Sequence, residues 1–339
     1  MTDSSDFSFA EKAGLHFLCS MLLTLTLFII GFVLLIKGAD FLVDGASSVA
    51  RRFNISELAI GLTIVAFGTS LPELTVNLFA SFSGSTDIAI GNVLGSNIAN
   101  ILLILGVSAM IYPLSTQRGT VWKEIPFSLL AVVCLAIMAN DRFLDGMPMN
   151  DLGRADGLVL IAFFIIFLYY TAGLSPDAAS NPEEKHQTRS ILISVLMIVS
   201  GLIGLIMGGK WIVDGAVEIA RFFNMSEALI GLTVIAIGTS LPELATSAVA
   251  AYRHQSDIAI GNVVGSNIFN VFWILGVSAS IRPLPFNEGA NFDIATTVGA
   301  TLLLFFSLFV GRRHVIDRWQ GAVFFMLYVA YTVFLVIRG

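Results

Sequence analysis

Residues Asn54–Glu73 read NISELAIGLTIVAFGTSLPE, and residues Asn224–Glu243 read NMSEALIGLTVIAIGTSLPE. A second pair stands at the same offset of 170 residues: DIAIGNVLGSNIANILLILGVS over Asp87–Ser108 and DIAIGNVVGSNIFNVFWILGVS over Asp257–Ser278. Upstream, Val43-Asp44-Gly45-Ala46 returns as Val213-Asp214-Gly215-Ala216. Self-similarity at one fixed offset marks a duplicated unit. The chain therefore reads as two homologous halves, residues 18–173 (motifs within 56–111) and 190–337 (motifs within 226–280). Between them, residues 174–189 hold two prolines and several charges without apolar periodicity, the pattern of a solvent-exposed linker.

The medium around these halves follows from composition. Of 339 residues, 56% are hydrophobic and only 12% charged, where a soluble domain carries about a quarter charged residues. The apolar runs reach about 20 residues, enough to cross a bilayer core. The first half divides into spans near 18–47, 56–82, 87–111, 122–140 and 155–173, and the second near 190–218, 226–251, 257–280, 292–310 and 318–337. The expected fold is an all-α membrane protein of ten transmembrane helices. Five spans is an odd number, so the second half starts from the opposite side of the bilayer. The halves become inverted repeats, an arrangement that places a binding site near the midplane where they meet.

Lys and Arg in the loops set the orientation. With the N-terminus outside, the inner segments hold ten such residues (Arg51, Arg52, Arg118, Lys123, Lys185, Arg189, Arg253, Arg312, Arg313, Arg318). The outer segments hold six (Lys12, Arg142, Arg154, Arg221, Arg282, Arg338). The excess favours both termini outside and the linker in the cytoplasm of a prokaryotic cell. The acidic start (Asp3, Asp6, Glu11) is unlike a cleaved signal, so the first run is read as a retained helix. Cys19 and Cys134 read as small buried hydrophobes.

The chemistry lies in G-T-S-L-P-E, residues Gly68–Glu73 and Gly238–Glu243. A carboxylate at membrane depth costs about 2.5–3.5 kcal/mol or more unless it is paired or coordinated. Thr69 and Ser70 precede Glu73 by four and three residues, so on a helix they share its face, as Thr239 and Ser240 share that of Glu243. Pro72 and Pro242 lack an amide hydrogen, which frees a carbonyl at Gly68 and Gly238 and breaks the helix there. Carboxylates, hydroxyls and carbonyls together make an all-oxygen site. Hard cations want such a site, calcium taking about six to eight oxygens at about 2.3–2.6 Å. Two ionised Glu side chains would be neutralised by one calcium or two sodium ions. The competing reading makes Glu73 and Glu243 helix glue, protonated and bonded to the hydroxyls.

The second motif, G-N-x-x-G-S-N-x-x-N, covers Gly91–Asn100 and Gly261–Asn270. Gly91/Gly95 and Gly261/Gly265 have the spacing of close helix packing. Ser96 and Asn100 share a face, as do Ser266 and Asn270, and either ligate a cation, support a ligand, or act as interhelical glue. Asn92 and Asn97 are expected on other faces. Asp44 and Asp214 read as interface carboxylates or caps, and Lys37 and Lys210 as snorkelling side chains. Asn54-Ile55-Ser56 and Asn224-Met225-Ser226 read as turns and helix N-caps. No His is placed beside a membrane-depth nucleophile, which argues against an intramembrane hydrolase, and occluding Glu residues fit a transporter better than a channel.

The paired GTSLPE and GSNxxN segments resemble the two alpha repeats of the sodium/calcium exchanger superfamily, in a compact prokaryotic form. The resemblance spans nearly the whole chain. It implies a non-enzymatic antiporter without cofactors, whose partners are the lipid bilayer and its cargo of sodium and calcium ions, with no nucleic acid and no obligatory protein partner. Carried over residue by residue, it implies Glu73 and Glu243 as principal ligands, with Thr69, Ser70, Thr239 and Ser240 adding oxygens. The carbonyls of Ala66 and Ala236 would serve sodium, and Ser96 and Ser266 would complete outer sites. It also implies that the long first helix of each half slides as a gate past a rigid core. Some members carry Asp where this chain has Asn270, which leaves two acidic groups at the site and keeps proton or potassium coupling as an alternative to sodium.

Overall fold

A computed structural model describes residues 4–84, 86–144, 146–174, 189–223 and 236–338. Among these residues, eight helices are long and apolar enough to cross a membrane, or nine if a pair bent by 48° counts as one span. In chain order they are α1 (Ser4–Phe53), the bent pair α2 (Glu57–Thr69) and α3 (Leu71–Ser83), α4 (Ile88–Ile111), α5 (Arg118–Met138) and α6 (Arg154–Ala172). Then come α7 (Ile191–Phe222), the short α8 (Ala236–Thr239), α9 (Leu241–Tyr252), α10 (Ser256–Ile281), α11 (Glu288–Ser307) and α12 (Arg318–Arg338). The linker stretch 175–188 and the first part of the expected 226–251 span lie outside the described residues.

Helix boundaries follow local chemistry. The first helix runs past the expected boundary at 47 to Phe53 and stops where Asn54 turns left-handed at φ 54°. Ser56 then caps α2, its Oγ accepting the Ala59 N–H at 3.1 Å, so this Asn-Ile-Ser stretch is a turn and cap as expected. The bend between α2 and α3 falls at Ser70 (φ −85°, ψ 11°), with Pro72 in the first turn of α3. The lost amide hydrogen at Pro72 makes that position harmless at a helix start and disruptive anywhere later. Sequence periodicity does not foresee the π-helical turns Gly61–Val65, Ala99–Ile104 and Phe269–Leu275. The last two occupy matching positions of the two halves.

Burial separates the helices by role. In α4 and α10 the most apolar windows are 78% and 94% buried, whereas those of α1, α6, α7, α11 and α12 are 22–28% buried. The first two form the centre, and the others present apolar faces (Leu22, Ile165, Leu192, Ile337) that suit lipid. Two small antiparallel ribbons mark opposite ends of the bundle. β1 (Leu114–Ser115) pairs with β4 (Val315–Ile316), and β2 (Asp151–Leu152) with β3 (Leu284–Pro285). At the β1–β4 end, His254 stacks on Tyr112 and Gln117 donates to Asp257. At the β2–β3 end, Arg142 pairs with Glu288 and Asn140 and Asn291 exchange amide hydrogen bonds.

The long helices α1 and α7 lie antiparallel with their backbones in contact. A Cβ added at Gly31 would lie 2.9 Å from the Gly208 carbonyl oxygen, one at Gly38 2.8 Å from that of Gly201, and one at Gly45 2.8 Å from that of Ser194. Within lipid no hydrophobic force drives helices together, so association rests on close approach of this kind. Gly38→Leu should therefore separate α1 from α7 and cost about 1–3 kcal/mol. Thermal unfolding followed by size-exclusion fluorescence should show a clear drop. Gly299→Ala on α11, where an added Cβ meets nothing within 4 Å among the described residues, should leave the transition unchanged or slightly higher.

Candidate cation site

At the break between α2 and α3, Ser70 and Glu73 turn inward, and Ser240 and Glu243 do the same between α8 and α9. Both carboxylates are 1% exposed. Their hydrogen bonds cross between the halves. Ser70 Oγ donates to Glu243 Oε1 at 2.8 Å, and Ser240 Oγ lies 3.4 Å from Glu73 Oε1. Each serine also meets the α4 or α10 serine of the other half: Ser70 and Ser266 at 3.1 Å, Ser240 and Ser96 at 3.5 Å. Thr69 Oγ1 is 3.1 Å from Asn262 Oδ1 and 3.3 Å from the Ala66 carbonyl.

The backbone of each glutamate is braced from the central helix of its own half. Asn92 Nδ2 donates to the Glu73 carbonyl at 3.4 Å and to Asn77 Oδ1 at 2.7 Å. Asn262 Nδ2 donates to the Glu243 carbonyl at 3.3 Å and to Ser247 Oγ at 2.9 Å. The central helices then cross-link: Asn100 Nδ2 donates to Asn267 Oδ1, and Asn270 Nδ2 to Asn97 Oδ1, both at 2.9 Å. Asn92 and Asn262 each spend both amide hydrogens in these bonds. Among the described residues, no hydrogen-bond donor meets the buried Glu73 Oε2, Glu243 Oε2, Asn100 Oδ1 or Asn270 Oδ1. A buried acceptor without a donor is costly. Four such oxygens, two of them on the carboxylates themselves, create a strong demand for positive charge.

Most of the residues singled out from sequence thus come together: Ser70, Glu243 and Ser266 in one hydrogen-bonded chain and Ser240, Glu73 and Ser96 in a second, with Thr69 and Thr239 next to the serines and Asn100 and Asn270 one helical turn beyond Ser96 and Ser266. The Ala66 carbonyl accepts the Ser70 N–H at 3.1 Å, while the Ser240 N–H goes to Ile237 at 3.1 Å. Ala236 opens α8, and its side chain lies outside the described residues. Asn92 and Asn97 take part in the network from faces other than that of Ser96. The helical wheel places Asn92 away from Ser96, but the broken helix α3 lies across that other face. Asn77 and Ser247, partners of the bracing amides, went unnoticed because the two halves carry different residues there. Asp44 is an interface carboxylate and not a cap, since α1 continues to Phe53.

Packing brings α10 against α2 at glycines, as expected for one of the two pairs. A Cβ at Gly261 would lie 2.9 Å from the Leu58 carbonyl oxygen, and one at Gly265 2.6 Å from that of Leu62. For Gly91 and Gly95 nothing lies within 4 Å among the described residues, and the matching partner stretch, 228–235, is outside them. One cavity reaches the cluster. It measures about 320 Å3 and is lined by Thr75, Val76, Lys210, Asp214, Thr239 and Pro242 among others.

A multi-helix membrane body with two buried carboxylates in an oxygen-rich polar centre fits a membrane transporter of cations. The family model described as sodium/calcium exchanger protein matches residues 23–173 and 193–337. The chain is 38% identical over 272 residues to inner membrane protein YrbG of Escherichia coli, covering 78% of this chain and 81% of that one. It is 32% identical over 339 residues to sodium/calcium exchanger MaX1 of Methanosarcina acetivorans, covering 91% and 97%. A solved structure of the sodium-calcium exchanger NCX_Mj superposes with a TM-score of 0.77 at 38% identity, covering 91% of this chain and 97% of that chain. The chain belongs to the sodium/calcium exchanger family.

If Asn262 braces the Glu243 carbonyl, Asn262→Ala should weaken cation binding without removing any carboxylate. Loss of such a supporting bond typically costs about 10–100-fold in affinity. Half-saturation of radioactive calcium binding to purified protein should rise by that order, and an unchanged value would deny the bracing role.

Proposed function

We propose that this chain exchanges sodium for calcium across the prokaryotic cytoplasmic membrane by alternating access, holding the two cargoes in turn at Glu73 and Glu243. The observation that carries this reading is the set of four buried acceptor oxygens without donors among the described residues, Glu73 Oε2, Glu243 Oε2, Asn100 Oδ1 and Asn270 Oδ1. Hydroxyls of Thr69, Ser70, Thr239, Ser240, Ser96 and Ser266 and the carbonyls of Ala66 and Ala236 complete an oxygen-only ligand set. Such a set suits hard cations and offers nothing to soft ones. Two carboxylates balance one calcium or two sodium ions, so either load neutralises the site and each excludes the other. That mutual exclusion is the physical basis of exchange. The relative MaX1 is a sodium/calcium exchanger by name, the same two ions.

The architecture we infer is ten spans in two inverted halves, 18–173 and 190–337, joined by a cytoplasmic linker, with both termini outside. Three observations support the inversion. The long helices α1 and α7 run antiparallel, the crossed Ser–Glu bonds exchange partners between halves, and matching strands β1 and β3 lie at opposite ends of the bundle. Orientation rests on the Lys/Arg balance, which puts the β1–β4 end in the cytoplasm. Access is unequal at the two ends. Thr239 and Val76 line the cavity described above, whereas their counterparts Thr69 and Thr246 are fully buried. This inequality is what one state of an alternating-access cycle requires: open toward the β2–β3 end, closed toward the β1–β4 end.

Proteoliposomes loaded with sodium should take up calcium-45 when diluted into sodium-free medium, and potassium- or choline-loaded ones should not. Glu73→Gln and Glu243→Gln should each reduce uptake to background. Uptake indifferent to sodium but driven by an imposed pH gradient would replace sodium by protons as counter-ion. Absence of calcium uptake under every gradient would overturn the assigned cargo.

A further inference from the structure

The two gate-length helices carry different charges at matching positions. Lys210 and Asp214 on α7 stand one repeat offset from Asp40 and Asp44 on α1. On α7 the pair lines the open cavity toward the β2–β3 end. On α1 the two acids, with Lys37 Nζ 3.8 Å from Asp40 Oδ2, are held chiefly by Arg253. Its guanidinium donates to Asp40 Oδ1 at 2.7 Å and to Asp44 Oδ1, and Arg189 Nη2 adds a 3.6 Å contact to Asp44 Oδ2. Arg253 has no counterpart in the first half, where the matching residue is Ser83. Arg253 caps the C-terminus of α9, the helix that carries Glu243 near its start. The contact therefore ties α1 directly to an element of the cation site.

Other polar contacts of this end join the same elements: Gln255 Nε2 donates to Ser47 Oγ at 3.0 Å, the Arg189 N–H to Ser48 Oγ at 3.2 Å, and Ser194 Oγ to Ser48 Oγ at 2.8 Å. Along their shared face, α1 and α7 meet through glycines, with Ile198 and Ile212 seated on Gly45 and Gly31. The polar contacts at the end of α1 add charged and hydrogen-bonded links to that apolar packing. Among them the Arg253 pairing is the one that joins opposite charges to the Glu243 helix.

We propose that Arg253 is a tethered counter-cation that holds the β1–β4 end closed by occupying Asp40 and Asp44, and that its release frees this acid pair to collect cations at that mouth. The inference rests on the alternating-access reading. It makes the two mouths unlike: one presents Lys210 beside Asp214, the other presents two carboxylates only after Arg253 has left. Arg253 is a positioning residue and touches no cargo in this scheme.

The test uses single cysteines in a background with Cys19 and Cys134 replaced by Ser, in nanodiscs so that both faces are reachable. Val76→Cys reports the open cavity and Thr246→Cys its buried counterpart. With Arg253 present, a hydrophilic maleimide should label position 76 and spare position 246. Arg253→Gln should raise labelling at 246 and lower it at 76, each by about three- to tenfold, the range set by two half-exposed ion pairs. Asp40→Asn combined with Asp44→Asn removes the same pairing from the other side and should give the same shift, which covers the case of a poorly folded Arg253 variant. Opposite-signed changes at the two positions distinguish a conformational bias from general loosening, which would raise both. Unchanged labelling in either folded variant, or a rise at both positions, would overturn the proposal. Labelling needs no calcium transport, so a failed uptake experiment would count against the cargo and leave this result standing on its own.

Discussion

An ionised carboxylate in a low-dielectric interior survives only beside compensating charge or a full set of donors. Among the described residues, Glu73 and Glu243 have neither. Each receives hydroxyl donors on one oxygen, and no donor among those residues meets the other. Asn100 and Asn270 sharpen the deficit, because their amide nitrogens donate to the facing central helix while their own oxygens likewise lack a donor among those residues. The fold supports this arrangement. Two helices break at Ser70 and Ser240 to turn the glutamates inward, and the two most buried helices, α4 and α10, supply the amides that keep them there.

The crossing of hydrogen bonds between halves has a mechanical consequence. Ser70 serves Glu243 and Ser240 serves Glu73, so neither half can build the site alone or move its broken helix without disturbing the other carboxylate. That coupling makes the central helices one unit, against which α1 and α7 pack from outside. Thr69 is fully buried while Thr239 lines the cavity.

Much of this was legible in the sequence because the duplication repeats the chemically decisive residues twice. The GTSLPE segments alone identify the carboxylates, their hydroxyl neighbours and the proline that breaks the helix, and Asn54-Ile55-Ser56 reads correctly as a turn and cap. What escaped did so for physical reasons. Asn92 and Asn97 were assigned by helical periodicity, but their partners depend on which helix lies across each face, and π turns at Ala99–Ile104 and Phe269–Leu275 shift the register beyond the motif. Asn77 and Ser247 do the same job with different side chains, so the repeat hides them. Arg253 and Asp40 are 213 residues apart, and no counterpart pair in the first half points to their meeting.

The central claim is that sodium and calcium compete for one oxygen cradle built on Glu73 and Glu243. Equilibrium binding of calcium-45 to the purified protein at increasing sodium concentrations tests it most directly. Competition at a shared site predicts that sodium raises the calcium concentration needed for half-saturation, more steeply than in proportion to its own concentration, while the number of bound calcium ions at saturation stays constant. If sodium instead lowered the saturating amount of calcium without altering half-saturation, or had no effect, the two ions would not share the cradle and the account would be contradicted.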